Sequence, residues 1–102
     1  MALLLDPIGG AAGRVAADAT AFPHRSALAT VQLYTRGRNR SIINGLRDRL
    51  GQLLGLWGYV NYIDPAMPGW AHAYYAANLP RLQATARKYD PDHVLAFAQN
   101  VT

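Results

Sequence analysis

Five of the six prolines, Pro23, Pro65, Pro68, Pro80 and Pro91, divide the chain into segments that its elements cannot freely cross. A proline fixes its own φ, has no N–H to donate, and pushes the residue before it out of the α region. A helix can begin at such a point but not run through it undisturbed, and a central strand cannot contain one. The apolar pattern can therefore be read segment by segment.

The segment between Pro23 and Pro65 changes period partway along. Over Ser26 to Thr35, Ala27, Ala29, Val31 and Leu33 alternate with Leu28, Thr30, Gln32 and Tyr34. Period two with β-branched and aromatic residues predicts a strand covered on one face. After the polar loop Arg36 to Asn39, Ser41 is a suitable N-cap. Ile42, Ile43, Leu46, Leu50, Leu53 and Leu54 then recur at helical spacing, with Arg47, Asp48, Arg49 and Gln52 off that stripe. This predicts an amphipathic helix ended by Gly55.

Two further strands are expected upstream. Leu3 to Ile8 is apolar and stops at Gly9-Gly10. Val15 to Phe22 is small and apolar and stops at Pro23, which places it as the hairpin partner of Ser26 to Thr35. Downstream, Leu56 to Asp64 alternates and reads as extended. Pro68 opens a helix through Trp70 to Asn78. Pro80 interrupts it or opens another, with Leu82, Ala86 and Tyr89 on one face, and Asp90-Pro91 ends that one. The tail Val94 to Phe97 is expected to pack back on the body. The sum is an α+β fold, a small antiparallel sheet with helices on one face.

Composition removes several functions. There is no cysteine, hence no disulfide, thiolate metal site or cysteine nucleophile. His24, His72 and His93 are scattered rather than set at metal-ligand spacing. Ser26 and Ser41 are the only serines, and neither sits in a Gly-x-Ser-x-Gly elbow. Gly9-Gly10-Ala11-Ala12-Gly13 is neither a phosphate loop nor a dinucleotide fingerprint. The net charge of +4 gathers partly at Arg36, Arg38, Arg40, Arg47 and Arg49. Aromatics are not interleaved with these arginines, so a solvated helix face is expected rather than a nucleic-acid surface. No apolar run reaches the roughly 18 to 20 residues that span a membrane. The first residues also lack the form of a signal peptide, and a cytoplasmic location is expected.

Trp57 to Asp64 is the densest chemical cluster. On an extended segment Tyr59 and Asn61 share a side, so a phenol and an amide are presented together. Such a pair can hydrogen-bond a polar ligand edge, and a phenol with suitable neighbours can serve as a general base. Two tyrosines filling a core edge would carry the same pattern. Trp70 and Tyr74, four apart on a helix, suit core packing, and Asn78 suits either a helix C-terminus or a ligand contact.

These segments follow one order and spacing. Gly58-Tyr59-Val60-Asn61-Tyr62-Ile63-Asp64 is followed by Trp70, Tyr74-Tyr75, Asn78-Leu79-Pro80-Arg81-Leu82, Lys88-Tyr89-Asp90-Pro91 and Gln99. The set resembles the C-terminal segment of berberine bridge enzyme-like FAD-linked oxidoreductases. Asp6 to Ala11 and Thr20 to Arg25 resemble strands of the substrate domain that precede it. The resemblance implies that residues 1–36 are the last strands of a larger substrate domain and residues 37–102 the berberine-like segment. It implies an oxidase that passes hydride from an alcohol, sugar or alkaloid to FAD. Tyr59 matches a catalytic base, Asn61 and Tyr62 match positions beside the isoalloxazine, and Asn78 matches a support of the same wall.

Some features depart from that pattern. The chain has no flavin-attachment stretch of the Arg-Ser-Gly-Gly-His kind and no cysteine for a second covalent bond. Its Arg36 to Ser41 link is short, and His93, Leu95 and Ala96 stand where asparagine, phenylalanine and a more polar residue are expected. FAD is therefore expected only together with a flavin domain on another chain or missing from this one. The implied partners are that domain or a second copy, and a small-molecule substrate. A flavin-free ligand-binding or interaction domain derived from the same family is the alternative.

Overall fold

A computed structural model describes all residues, Met1–Thr102. The chain forms two compact units. One comprises Met1–Val15 and His24–Trp57, the other Ala16–Pro23 and Gly58–Thr102.

The first unit holds a two-stranded antiparallel sheet and a helix. Strand β1 (Ala2–Pro7) pairs with β2 (Ala29–Tyr34), in a register running from Ala2 opposite Tyr34 to Pro7 opposite Ala29. A bond from Ile8 N–H to Leu28 C=O, 2.9 Å, extends the ladder. Helix α1 (Arg40–Leu54) packs against β2 and turns Ile43, Leu46 and Leu50 inward to half-burial. It ends as its sequence dictates: Gly55 takes φ 83°, a conformation only glycine adopts easily, and its N–H bonds Gly51 C=O. No side chain of this unit is buried.

The second unit carries helix α2 (Trp70–Tyr75), a 3₁₀ turn (Ala76–Asn78) and helix α3 (Leu79–Tyr89). Pro80 lies in the first turn of α3, where its missing N–H costs nothing. Ala73 and Tyr74, each 2% exposed, are the buried apolar residues, and Asn78 is buried beside them.

The class is α+β, but four local expectations are corrected. Val15 to Phe22 is not a strand, and the partner of β2 is β1. Residues 17, 18 and 20 instead give their carbonyls to side chains: Asn78 Nδ2 reaches Ala17 O and Thr20 O at 2.7 and 3.1 Å, and Arg81 reaches Asp18 O at 3.0 Å. Acceptors used this way are not available to a ladder. Ser41 does not cap α1; the helix begins at Arg40, and Asn39 at the cap position makes no side-chain bond. The helix expected over Trp70 to Asn78 breaks after Tyr75, where Ala76 takes φ 45°.

The tail is the fourth correction. Val94, Leu95 and Phe97 are 80%, 69% and 62% exposed rather than packed on the body. Asp90 organises its backbone, accepting from the N–H of Val94 and Leu95 at 2.8 and 3.0 Å. Those bonds fix the path of the chain without burying its side chains.

Candidate functional site

The segment Gly58 to Asp64 is fastened to α2 at both ends. Gly58 N–H donates to Ala73 C=O at 3.0 Å, and Asp64 N–H donates to the Tyr74 hydroxyl at 2.9 Å. The two anchors are consecutive residues of α2, and both are buried. Gly58 is needed there because the Tyr74 ring lies against it. A Cβ at this position would come within 2.4 and 2.6 Å of the Tyr74 ring and 3.0 Å of Met67 Sδ.

Between the anchors the backbone folds into a turn, closed by a 2.9 Å bond from Tyr62 N–H to Tyr59 C=O. The extended reading of this stretch is therefore wrong over residues 59–62, and a local i→i+3 bond outweighs the strand preference of Tyr, Val and Ile. Tyr59 and Asn61 nevertheless meet. Asn61 Nδ2 donates to Tyr59 Oη at 2.8 Å. The Tyr59 and Tyr62 rings lie 5.6 Å apart at 56°. Behind them Phe22 packs edge-on to Tyr59 with centroids 5.6 Å apart.

These groups face outward. Asn61 is exposed, Tyr62 is 64% exposed, and Tyr59 is half-buried. Asn78 is placed differently: its amide nitrogen is held by Ala17 O and Thr20 O, so it fixes the loop that carries Phe22. Tyr75 lies beside Tyr74, rings 6.2 Å apart, and burial, then the neighbouring Tyr74, raises its phenol above the ordinary value of 10.0. No three histidine or carboxylate side chains are grouped as metal ligands, and no helix is long and apolar enough to cross a membrane.

Several residues that shape the site were not singled out for it by sequence reasoning. Tyr74 looked like a core aromatic, but its hydroxyl holds one end of the turn. Asp64 bends the chain beyond the turn: its Oδ1 accepts from Ala66 N–H at 2.9 Å, and its C=O accepts from Met67 N–H at 3.1 Å. An Asp before Pro is a local signal for such a bend. Phe22 carried no period that marked it.

The family model described as "Berberine and berberine like" matches residues 58–102, which begin at the glycine under Tyr74. The chain is 37% identical over 101 residues to the FAD-linked oxidoreductase YgaK of Bacillus subtilis (strain 168), an alignment covering 92% of this chain and 22% of that protein. It is 34% identical over 95 residues to a carbohydrate oxidase of Microdochium nivale, and 32% identical over 97 residues to a chitooligosaccharide oxidase of Gibberella zeae; each alignment covers 80% of this chain and 19% of the relative. The chain thus spans about a fifth of the length of these curated relatives. No solved structure matches it.

Proposed function

Because the chain belongs to the berberine bridge enzyme-like family of FAD-linked oxidoreductases, we propose that it is the C-terminal portion of a FAD-dependent oxidase and forms the substrate-side wall of the flavin site. Tyr59 is the catalytic base, Asn61 and Tyr62 line the isoalloxazine ring, and Asn78 supports the wall from behind. Residues 1–36 are then the last strands of the substrate domain and residues 37–102 the berberine-like segment. Most of the flavin is held by a domain outside these residues.

The observation that carries this reading is the 2.8 Å bond from Asn61 to the Tyr59 hydroxyl, made in a turn that leaves both groups accessible. The residues fit one face of a planar, hydrogen-bonding ring: Tyr62 offers an aromatic face and Asn61 an amide edge. Bound flavin would supply the hydride acceptor. Tyr59 takes the proton of the substrate hydroxyl at Oη. Asn61 Nδ2 donates to that oxygen and holds it in place for the transfer, in which the negative charge passes from the phenol oxygen to the substrate oxygen. Phe22 and the two anchors on α2 limit how far the phenol can drift. Two relatives are named for carbohydrates, which makes a sugar hydroxyl the first substrate to test.

The test mixes the chain with FAD and the flavin-binding part of a relative such as YgaK, and follows flavin absorbance and fluorescence. Wild type is expected to change the flavin spectrum. Tyr59→Phe is expected to keep that change and to slow substrate-driven flavin bleaching by about 10²- to 10⁴-fold, the usual worth of a positioned base. A flavin domain whose spectrum ignores the chain at saturating concentration would end the reading.

One observation favours a flavin-free interaction domain instead. Leu3, Leu4 and Leu5 of β1 are 51%, 49% and 62% exposed, so apolar side chains stand bare on both faces of the sheet. Sedimentation separates the two readings: a clean monomer at high concentration counts against this second one.

A further inference from the structure

We propose that Gln99 is a positioning residue for the Tyr59–Asn61–Tyr62 turn, a role that rests on the wall reading above. Its Nε2 donates to Asp64 C=O at 2.8 Å across 35 positions of sequence. Asp64 lies two residues beyond the turn, where its N–H is held by Tyr74 and its C=O also accepts from Met67 N–H. Gln99 therefore adds a third fastening, from the C-terminal tail, to the two that α2 supplies.

The way Gln99 is held argues that this contact is not incidental. Its backbone takes φ 70°, in the left-handed region that non-glycine residues seldom occupy. Its Oε1 is shut from solvent with no hydrogen-bond partner, an arrangement native structures mostly avoid. Reversing the amide would not help, because Oε1 would then face the Asp64 carbonyl, acceptor against acceptor. Three neighbours before it, Val94, Leu95 and Phe97, are exposed, so apolar burial does not draw this segment in. Gln99 and its neighbour Asn100 are the tail residues that do turn inward, together with Val101. An unfavourable backbone and an unanswered acceptor are tolerated where the Gln99 donor reaches the carbonyl of Asp64, the residue that anchors the chain just beyond the turn bearing Tyr59.

Gln99→Glu tests this in the ¹⁵N-labelled chain without flavin. Near pH 7 the introduced carboxylate cannot donate to Asp64 C=O. At pH 3.5, below the ordinary glutamate value of about 4.3, the carboxyl O–H can donate again. Backbone order parameters at Asn61 and Tyr62 are expected to fall from about 0.85 to below about 0.6 at pH 7 and to recover at pH 3.5, with wild type ordered at both. Those of α3 should not change. Gln99→Ala, which has no donor at any pH, should stay disordered at both. A turn that remains ordered in Gln99→Glu at pH 7 overturns the proposal. So does disorder that acid fails to reverse, and so does melting of α3 together with the turn, since Gln99 would then be holding the unit rather than aiming the turn. Because no flavin is present, a turn that does not respond removes the role of Gln99 and leaves the wall reading standing. A turn that responds in a chain no flavin domain recognises removes the wall reading alone.

Discussion

Gly58→Ala adds one methyl group at the point where the site is anchored. The new Cβ would lie 2.4 and 2.6 Å from two carbons of the Tyr74 ring and 3.0 Å from Met67 Sδ. Met67 is flexible and can yield, but the ring cannot easily do so, because its hydroxyl holds Asp64 N–H at 2.9 Å and the residue is 2% exposed. Gly58 is not among the glycines with positive φ, so backbone conformation gives alanine no difficulty and the whole effect is steric. Overpacking of this kind costs about 1–3 kcal/mol. With about 4–8 °C per kcal/mol for a chain of this size, a cost near 2 kcal/mol lowers Tm by roughly 8–16 °C. Thermal and urea unfolding followed by tyrosine fluorescence would measure it. The cause is isolated by a cycle with Tyr74→Leu, which removes the ring edge. In that background Gly58→Ala should cost less, giving a coupling of about 1 kcal/mol or more, within the range for residues in contact. A Gly58→Ala protein within about 0.5 kcal/mol of wild type, or costs that simply add, would refute the argument that Tyr74 excludes a side chain at position 58.

Two other perturbations report on the support of the turn. Asn78→Ala removes the donor to Ala17 O and Thr20 O and is expected to destabilise by about 1–3 kcal/mol, from two bonds of ordinary worth, in urea unfolding; because Phe22 follows that loop and packs on Tyr59, tyrosine fluorescence of the folded protein should shift as well. Tyr75 predicts an alkaline limb: its phenol is raised in the folded chain by burial and by Tyr74, so above pH 10 the unfolded chain releases the proton first. Stability is then fully present below about pH 10 and falls as pH rises from there through the folded value, and Tyr75→Phe should flatten that fall in unfolding curves taken across this range.

The parts of this fold that are legible in sequence are those whose signal is local. The α1 stripe, its stop at Gly55, the entry of α3 at Pro80 and its end at Asp90 all follow from residues within a turn or two of one another. Partner choice does not. Leu3 to Ile8 and Val15 to Phe22 carry similar apolar signals, and nothing within either says that the first pairs with β2 while the second gives its carbonyls to Asn78, 58 to 61 positions away. The site divides the same way. Tyr59 and Asn61 could be seen to meet, although a turn and not a strand brings them together. The reasons they stay together, the Tyr74 hydroxyl, Phe22 and the amide of Gln99, come from distant positions and leave no period in the sequence.

The ribbon of β1 and β2 has one consequence for handling this chain at the bench. Met1, Leu3, Leu4 and Leu5 are all in water, and each strand offers an open ladder edge. Low charge and unsatisfied backbone along such an edge make it a template on which other chains can add. The natural safeguards sit at one end only, in Asp6 and Pro7 of β1. Charged substitutions on the outward side of Leu3 and Leu5 are therefore the place to begin if the isolated chain clouds in solution, since they guard the edge without touching a residue of the Tyr59 turn.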